Sequence, residues 1–349
     1  MNQALIPVTI HEILIAVIDT KVPTKKNFRI SDTMGKMIRA AAVQLRSVTA
    51  DSPANIASCE RLAMEAVAQG ARWIALPEFF NTGVCWNPDI VKAIQREDGE
   101  AGTFLKNFSE KHQVVIGGSF LCRLDDGRVR NRYLCFSGGR LVGRHDKDLP
   151  TMWENAFYEG GDPGDTGVLG MAGDLRIGAA VCWEYMRTMT AKRLKNRADL
   201  ILGGSCWWSI PTNFPGFLQN LWEPENRENA LSCIQDTARL VGAPVIHGAH
   251  CGEFVCPMPG MPMGYHGFFE GNAALIDARG RLVACRTPLQ GEGVVVADVE
   301  AGAVEANETP PERFWLRKRG FLPAVAWHHQ KWLGRRWYKR HVLQENHGR

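Results

Sequence analysis

Leu175-Arg176-Ile177-Gly178-Ala179-Ala180-Val181-Cys182-Trp183-Glu184 is the stretch whose reading decides the fold. Residues 175–181 are small and apolar apart from Arg176, and read as a buried strand. The strand stops at Cys182. A bulky tryptophan and a charged glutamate follow directly, which argues against a sealed core position for the cysteine. A basic helical segment over about residues 188–197 leads to a second apolar strand, Asp199-Leu200-Ile201-Leu202-Gly203-Gly204. Strands that alternate with helices in this way build α/β domains.

The same alternation extends in both directions. Residues 38–45 read as the first buried strand. Asp51-Ser52-Pro53 is a helix start, a capping carboxylate followed by proline near the first helical position. Ile56, Cys59, Ala63, Ala66 and Val67 then recur at helical spacing, and Gly70 closes the helix. Trp73-Ile74-Ala75-Leu76 is a strand that ends at Pro77-Glu78. A helix around Phe104, Leu105 and Phe108 leads to a strand at 114–116. Gly138-Gly139 makes a hairpin turn between 132–137 and 141–144. Residues 223–240 read as helix and 244–248 as strand; 273–276 and 282–285 form a hairpin, and 293–299 is the last strand. The expected organisation is an N-terminal extension at 1–35, a non-native tail or a segment packing on a neighbouring subunit, one α/β domain at 36–300, and a basic tryptophan-rich arm at 301–349.

Composition narrows the function classes. With 45% apolar and 22% charged residues the chain can bury a large core. A net charge of +4 makes no case for a nucleic-acid partner. No apolar run is long enough to span a bilayer. The ten cysteines are scattered without a CxxC pair, so neither a disulfide scaffold nor a zinc ribbon is expected, and a reduced, cytoplasmic protein is the simplest reading. His247, His250, Cys251 and Cys256 are metal-ligating types, but their spacing fits no structural zinc pattern and no metal is assigned.

Polar residues just past the ends of buried strands tend to carry function in α/β folds. Three places qualify. Glu78 follows an apolar strand and precedes Phe79-Phe80, a setting that raises a carboxyl pKa toward the range of a general base. Lys147 lies in Gly143-Arg144-His145-Asp146-Lys147-Asp148-Leu149-Pro150, where on its own it reads as a solvated charge. Cys182 lies in a tight strand-to-helix turn, where a thiol gains access and nearby amides.

Together the three resemble the nitrilase superfamily of carbon–nitrogen hydrolases. The likeness lies in Leu76-Pro77-Glu78, Lys147-Asp148-Leu149-Pro150 and Gly178 to Glu184, with 69 residues from Glu78 to Lys147 and 35 from Lys147 to Cys182. Phe80-Asn81-Thr82-Gly83, Arg227-Glu228-Asn229-Ala230 and Gly271-Asn272 support it. The resemblance implies a four-layer α-β-β-α sandwich, usually in homo-oligomers. It also implies a triad of Cys182 as nucleophile, Glu78 as general base and Lys147 as fixed positive charge. Of two candidates for the family's second glutamate, Glu154 matches better than Glu159. The backbone N–H of Trp183 is the expected second oxyanion donor, Glu184 is placed beside the substrate, and the cycle requires no metal or organic cofactor.

Cys182-Trp183-Glu184 is similar to the nitrilase branch, whereas Asn81-Thr82-Gly83 and the Asp148-Leu149-Pro150 turn are more like amidases and carbamoylases. A linear amide is the first expected substrate and a nitrile the second, with a non-catalytic binding protein as the third reading. Trp207 and Trp208 follow the strand ending at Gly204 and are expected to wall the substrate pocket. Residues 313–341 hold nine Arg or Lys and no Asp or Glu. Leu322, Val325, Ala326, His329, Trp332, Leu333 and Trp337 are expected near one helical face, to clasp a second subunit or, as the lesser reading, to meet a membrane surface.

Overall fold

The computed structural model describes residues 35–306 and 308–343, so the expected N-terminal extension lies outside the described residues except for Gly35. The strands are β1 (Lys36–Leu45), β2 (Trp73–Ala75), β3 (Val115–Arg123), β4 (Val129–Ser137), β5 (Arg140–Asp146), β6 (Val168–Ala172) and β7 (Leu175–Val181). They continue with β8 (Leu200–Ser205), β9 (Val245–Pro257), β10 (Gly264–Glu270), β11 (Ala273–Ile276), β12 (Leu282–Arg286) and β13 (Gly293–Ala301). The helices are α1 (Ser52–Ala68), α2 (Glu100–His112), α3 (Thr188–Leu194), α4 (Gly216–Val241) and α5 (Phe321–His341). The Asp51 side chain caps α1 by accepting from Ala54 N–H, as the Asp-Ser-Pro signature requires.

The strands hydrogen-bond in the order β5-β4-β3-β2-β1-β9-β8-β7-β6, with β13 antiparallel to β1 and β10 and β11 on β9. The halves meet between β1 and β9 through just two residue pairs, Gln44 with Ala249 and Leu45 with His250. Strand alternation separates the layers. Ala41, Val43 and Ile74 share a core with Leu62 of α1 and Leu105 and Phe108 of α2. Ala40, Ala42 and Ala75 belong instead to the core of Ile177, Ala179, Leu202 and Ile246, which continues to Ala230 and Ile234 of α4. The result is the expected α-β-β-α sandwich.

Two glycines bring the halves into contact where the chemistry sits. A Cβ on Gly204 would lie 2.6 Å from Leu76 O and 2.8 Å from Glu78 N, and one on Gly248 would lie 2.5 Å from Leu76 C. Only glycine lets the ends of β8 and β9 approach the Leu76-Pro77-Glu78 backbone this closely.

Three elements differ from expectation. The strand expected at 244–248 continues to Pro257, because residues 251–257 pair with β10; the Met-Pro-Gly-rich connection hides that hairpin in the sequence. Helix α4 starts at Gly216 and runs through Pro224, whose missing N–H falls on a largely exposed stretch where water can satisfy the freed carbonyl. The buried residues of α5 are Pro323, Trp327, Gln330, Gly334 and Tyr338, so the helix is turned in part from the expected face: Trp337 of that face packs on Trp86 and Phe157, whereas Trp332 is 57% exposed. Gly334 decides this: its bare backbone lies against Asn155 and Ala156, where a Cβ would come within 2.8 Å. Tyr338 accepts from Val129 N–H at 3.0 Å, and Trp327 stacks on Trp183. Helix α5 therefore packs on its own domain. No helix among the described residues is long and apolar enough to cross a membrane.

Candidate functional site

Glu78 lies just past β2, Lys147 directly follows β5, Glu154 lies on a short 3-10 helix (Met152–Ala156), and Cys182 directly follows β7 at the start of another (Cys182–Met186). All four are buried. Lys147 Nζ donates to Glu78 Oε1 at 2.8 Å, to Glu154 Oε2 at 2.7 Å and to Thr151 Oγ1 at 3.3 Å. Glu78 Oε1 also accepts from Asn131 Nδ2 at 2.8 Å, and Oε2 accepts the Cys206 N–H at 3.0 Å. Glu154 Oε2 accepts the Thr151 N–H at 2.8 Å and the Tyr158 hydroxyl. Glu154 Oε1 has no hydrogen-bond partner within the described chain. One acceptor atom from each of Glu78, Glu154 and Cys182 lies within 4.8 Å of the others. The ammonium that bridges both carboxylates supplies the positive charge of this cluster.

Three of the seven described non-glycine residues with positive φ lie here. Cys182, Phe79 and Met152 have φ of 52°, 51° and 47°. Left-handed conformations of non-glycine residues cost on the order of 1 kcal/mol or more each, and persist where surrounding packing enforces them. Each turns the chain sharply at the end of an element that delivers a site residue.

The electrostatics assign resting states. Burial drives Glu78 upward against the pull of Lys147, to a pKa of about 7, and Glu154 adds to the rise. Burial, reinforced by Glu78, also raises the Cys182 thiol well above its ordinary range, and Lys147 only partly opposes this. Lys147, the fixed positive charge of the expected triad, would by itself depress the thiol, but desolvation outweighs it, so the resting sulfur is an S–H and needs a base at hand. Lys147 is pushed down by burial but pulled further up by Glu154 and Glu78, and stays a cation.

A cavity of about 330 Å³ opens on Cys182. Trp183, Trp207 and Trp208 line it, as does Trp153, stacked on Trp208 at 4.5 Å. The Trp183 N–H falls in the first turn of its 3-10 helix, where helices leave the N–H without an internal acceptor.

Glu184 is the one predicted site residue that the structure places elsewhere. Its carboxylate is not on the cavity. It accepts from Val181 N–H at 2.8 Å, Asp148 N–H at 3.1 Å and Arg193 at 2.8 Å, and pairs with His145 at 2.9 Å. Glu184 therefore ties the Cys182 turn to the Lys147 loop. Burial alone would raise its pKa, but Arg193 and His145 hold it well below the usual range. Arg187, buried as well, pairs with Asp148 and lies over Trp315 and Trp327.

The histidines and cysteines weighed as metal ligands do not converge among the described residues. His250 donates from Nε2 to the Glu78 carbonyl at 2.6 Å, and His247 bonds Ser205 at 2.9 Å. Burial lowers them to about 4 and about 3, so both are neutral braces. Asn131, Thr151 and Tyr158 escaped sequence reasoning. Tyr158 stands four residues after Glu154, a spacing that carries a signal; Asn131 depends on strand register, which does not.

The model of the carbon–nitrogen hydrolase family matches residues 39–307. Among curated relatives, a bifunctional nitrilase/nitrile hydratase of Lupinus angustifolius is 28% identical over 172 residues, 44% of this chain and 49% of that protein. A nitrilase of Pyrococcus abyssi (strain GE5 / Orsay) is 28% identical over 171 residues, 47% of this chain and 63% of that one. The chain thus spans about half to two thirds of the length of these relatives. Among solved structures, a carbon–nitrogen hydrolase from Helicobacter pylori G27 aligns with TM-score 0.64 at 17% identity, over 76% of this chain and 90% of that chain. An amidase from Nesterenkonia sp. aligns with TM-score 0.59 at 18% identity, over 76% and 91%. At these identities the likeness is one of fold.

Proposed function

This chain belongs to the carbon–nitrogen hydrolase family, and we propose that it cleaves an uncharged, largely apolar linear amide to a carboxylic acid and ammonia or an amine, through a thioester on Cys182. Glu78 takes the thiol proton as sulfur attacks the carbonyl carbon. The carbonyl electron pair moves onto oxygen, and the Lys147 ammonium and the Trp183 N–H stabilise that oxyanion. Collapse breaks the C–N bond, and Glu78 returns its proton to the leaving nitrogen. Glu78 then deprotonates a water that attacks the thioester, releasing the acid and restoring the thiol.

The observation that carries the amide reading is Glu154 Oε1, a buried acceptor without a partner within the described chain, on a carboxylate that has an oxygen within 4.8 Å of the Cys182 sulfur. A substrate amide brings N–H groups to such an acceptor, and a nitrile nitrogen brings none. A nitrile is the second reading, favoured by Cys182-Trp183-Glu184 and by the nitrilase names of the lupin and archaeal relatives. Ammonia release over a panel of matched amides, N-carbamoyl compounds and nitriles separates the two. The amide reading expects turnover of amides in preference to the nitriles of the same acyl group, and turnover of nitriles alone contradicts it.

A further inference from the structure

The family match ends at residue 307, yet one wall of the cavity comes from beyond it. Leu322, Val325, Ala326 and Gln330 of α5 face the tryptophans across the opening over Cys182. A cavity of about 150 Å³ holds benzene, so about 330 Å³ accommodates a ring with several further atoms. The indole walls are fixed against one another: Trp183 stacks on Trp327 at 5.5 Å with planes 9° apart, and Trp153 meets Tyr265 edge-on at 5.0 Å. Flat, rigid aromatic surfaces favour an aromatic guest.

The polar groups on this cavity divide into two sets. Asn226 is fully engaged, accepting from the Trp207 indole at 2.9 Å and donating to Trp208 O and Glu270. Ser209 accepts from Phe268 N–H, and the Tyr265 hydroxyl donates to Ser209 O. Trp153 Nε1 and Gln330 Oε1 are buried and have no hydrogen-bond partner within the described chain. Among the described residues no Lys, Arg, Asp or Glu lines the cavity, and its one imidazole, His329, is exposed at the rim, so a charged substituent would lose its water without gaining a buried counter-charge.

We propose that this cavity is a subsite for an uncharged aryl acyl group bearing one neutral hydrogen-bonding substituent, read by Gln330 and the Trp153 indole N–H. The proposal rests on the amide reading above and adds its substrate class. Helix α5 is then a specificity element supplied in cis.

The test compares kcat/KM for 4-hydroxyphenylacetamide, phenylacetamide, 4-carboxyphenylacetamide and acetamide. The hydroxylated amide is expected to exceed phenylacetamide by about tenfold, and the carboxylated one to fall about a hundredfold below it. In Gln330→Met, close to glutamine in shape, the hydroxyl preference should drop toward parity. Trp153→Phe, which keeps an aromatic ring and loses the donor, tests the same point should the first variant fold poorly. Equal turnover of the three aryl amides, or a hydroxyl preference that survives both substitutions, overturns the proposal. Turnover of acetamide without the aryl amides overturns the subsite and leaves the amide reading standing. If no amide yields ammonia, the amide reading fails, and the subsite is judged by binding. Saturable quenching of tryptophan fluorescence in Cys182→Ala by 4-hydroxyphenylacetamide, weakened about tenfold by adding Gln330→Met, supports it; no quenching sinks it.

Discussion

At the scale of single residues, the site turns on where one proton rests. Glu78 at about 7 and a thiol raised well above its ordinary range mean that Cys182 is activated only when Glu78 is ionised. Because the carboxylate is the active form, kcat/KM should rise with pH through about 7. Glu78→Gln should remove that limb and lower kcat by roughly 10²–10⁴-fold, the usual contribution of a general base; an unchanged pH profile would contradict the assignment. Glu184 acts at one remove. Glu184→Gln leaves His145 and Arg193 without their buried counter-charge, a change that costs about 3 kcal/mol or more. Denaturant unfolding should show that loss, and kcat should fall more than KM rises, because the Cys182 turn and the Lys147 loop lose their shared tie. Wild-type stability and kinetics in this variant would remove Glu184 from the design. Cys182 and Glu78 are legible in sequence because each follows an apolar strand, whereas Lys147 follows the polar Arg144-His145-Asp146 and is legible only through its order and spacing with the other two. The direction of Glu184 is not, since a side chain two places from the nucleophile can face the cavity or the scaffold, and only the positions of Arg193 and His145 decide.

At the scale of elements, the geometry depends on backbone contacts that no side-chain pattern announces. The ends of β2 and β8 touch at Gly204, so Gly204→Ala should push the Glu78 backbone away and cost roughly 1–3 kcal/mol by overpacking. Thermal unfolding and kcat report the two consequences, and an alanine variant with normal values of both would show that the contact can yield freely. The strands flanking the site were readable from short apolar runs. The β9–β10 hairpin was not, because Pro257 to Gly264 reads as irregular chain and hides the turn that pairs Cys251–Pro257 with Gly264–Glu270. The face of α5 was misread in part. A hydrophobicity pattern puts tryptophans inward, whereas close approach to Asn155 and Ala156 selects Gly334 and carries Trp332 outward.

At the scale of the whole molecule, two packed halves place the cluster at their shared end, and buried charge links it to the surrounding fold. His145 lies between Asp165 and Glu184 and is lifted to about 9, because these partners outweigh burial. A histidine whose folded pKa lies above its ordinary value of 6.5 gives its full stabilisation below that value and loses it as pH rises through about 9. The midpoint of thermal unfolding should therefore fall between pH 7 and pH 10 more steeply in wild type than in His145→Asn; parallel curves would exclude the imidazolium. The α/β class follows from the strand–helix alternation of the sequence and the four-layer order from the family resemblance, but the cis closure of the cavity by α5 follows from neither, because nothing in a basic, tryptophan-rich helix says which surface it will meet. The most direct test of the central claim is mass spectrometry of the Cys182 peptide after an acid quench during turnover of a neutral apolar amide. The account predicts the acyl mass on Cys182 in wild type and neither adduct nor ammonia in Cys182→Ala; turnover that survives that substitution, or an acyl group carried on another residue, would contradict it.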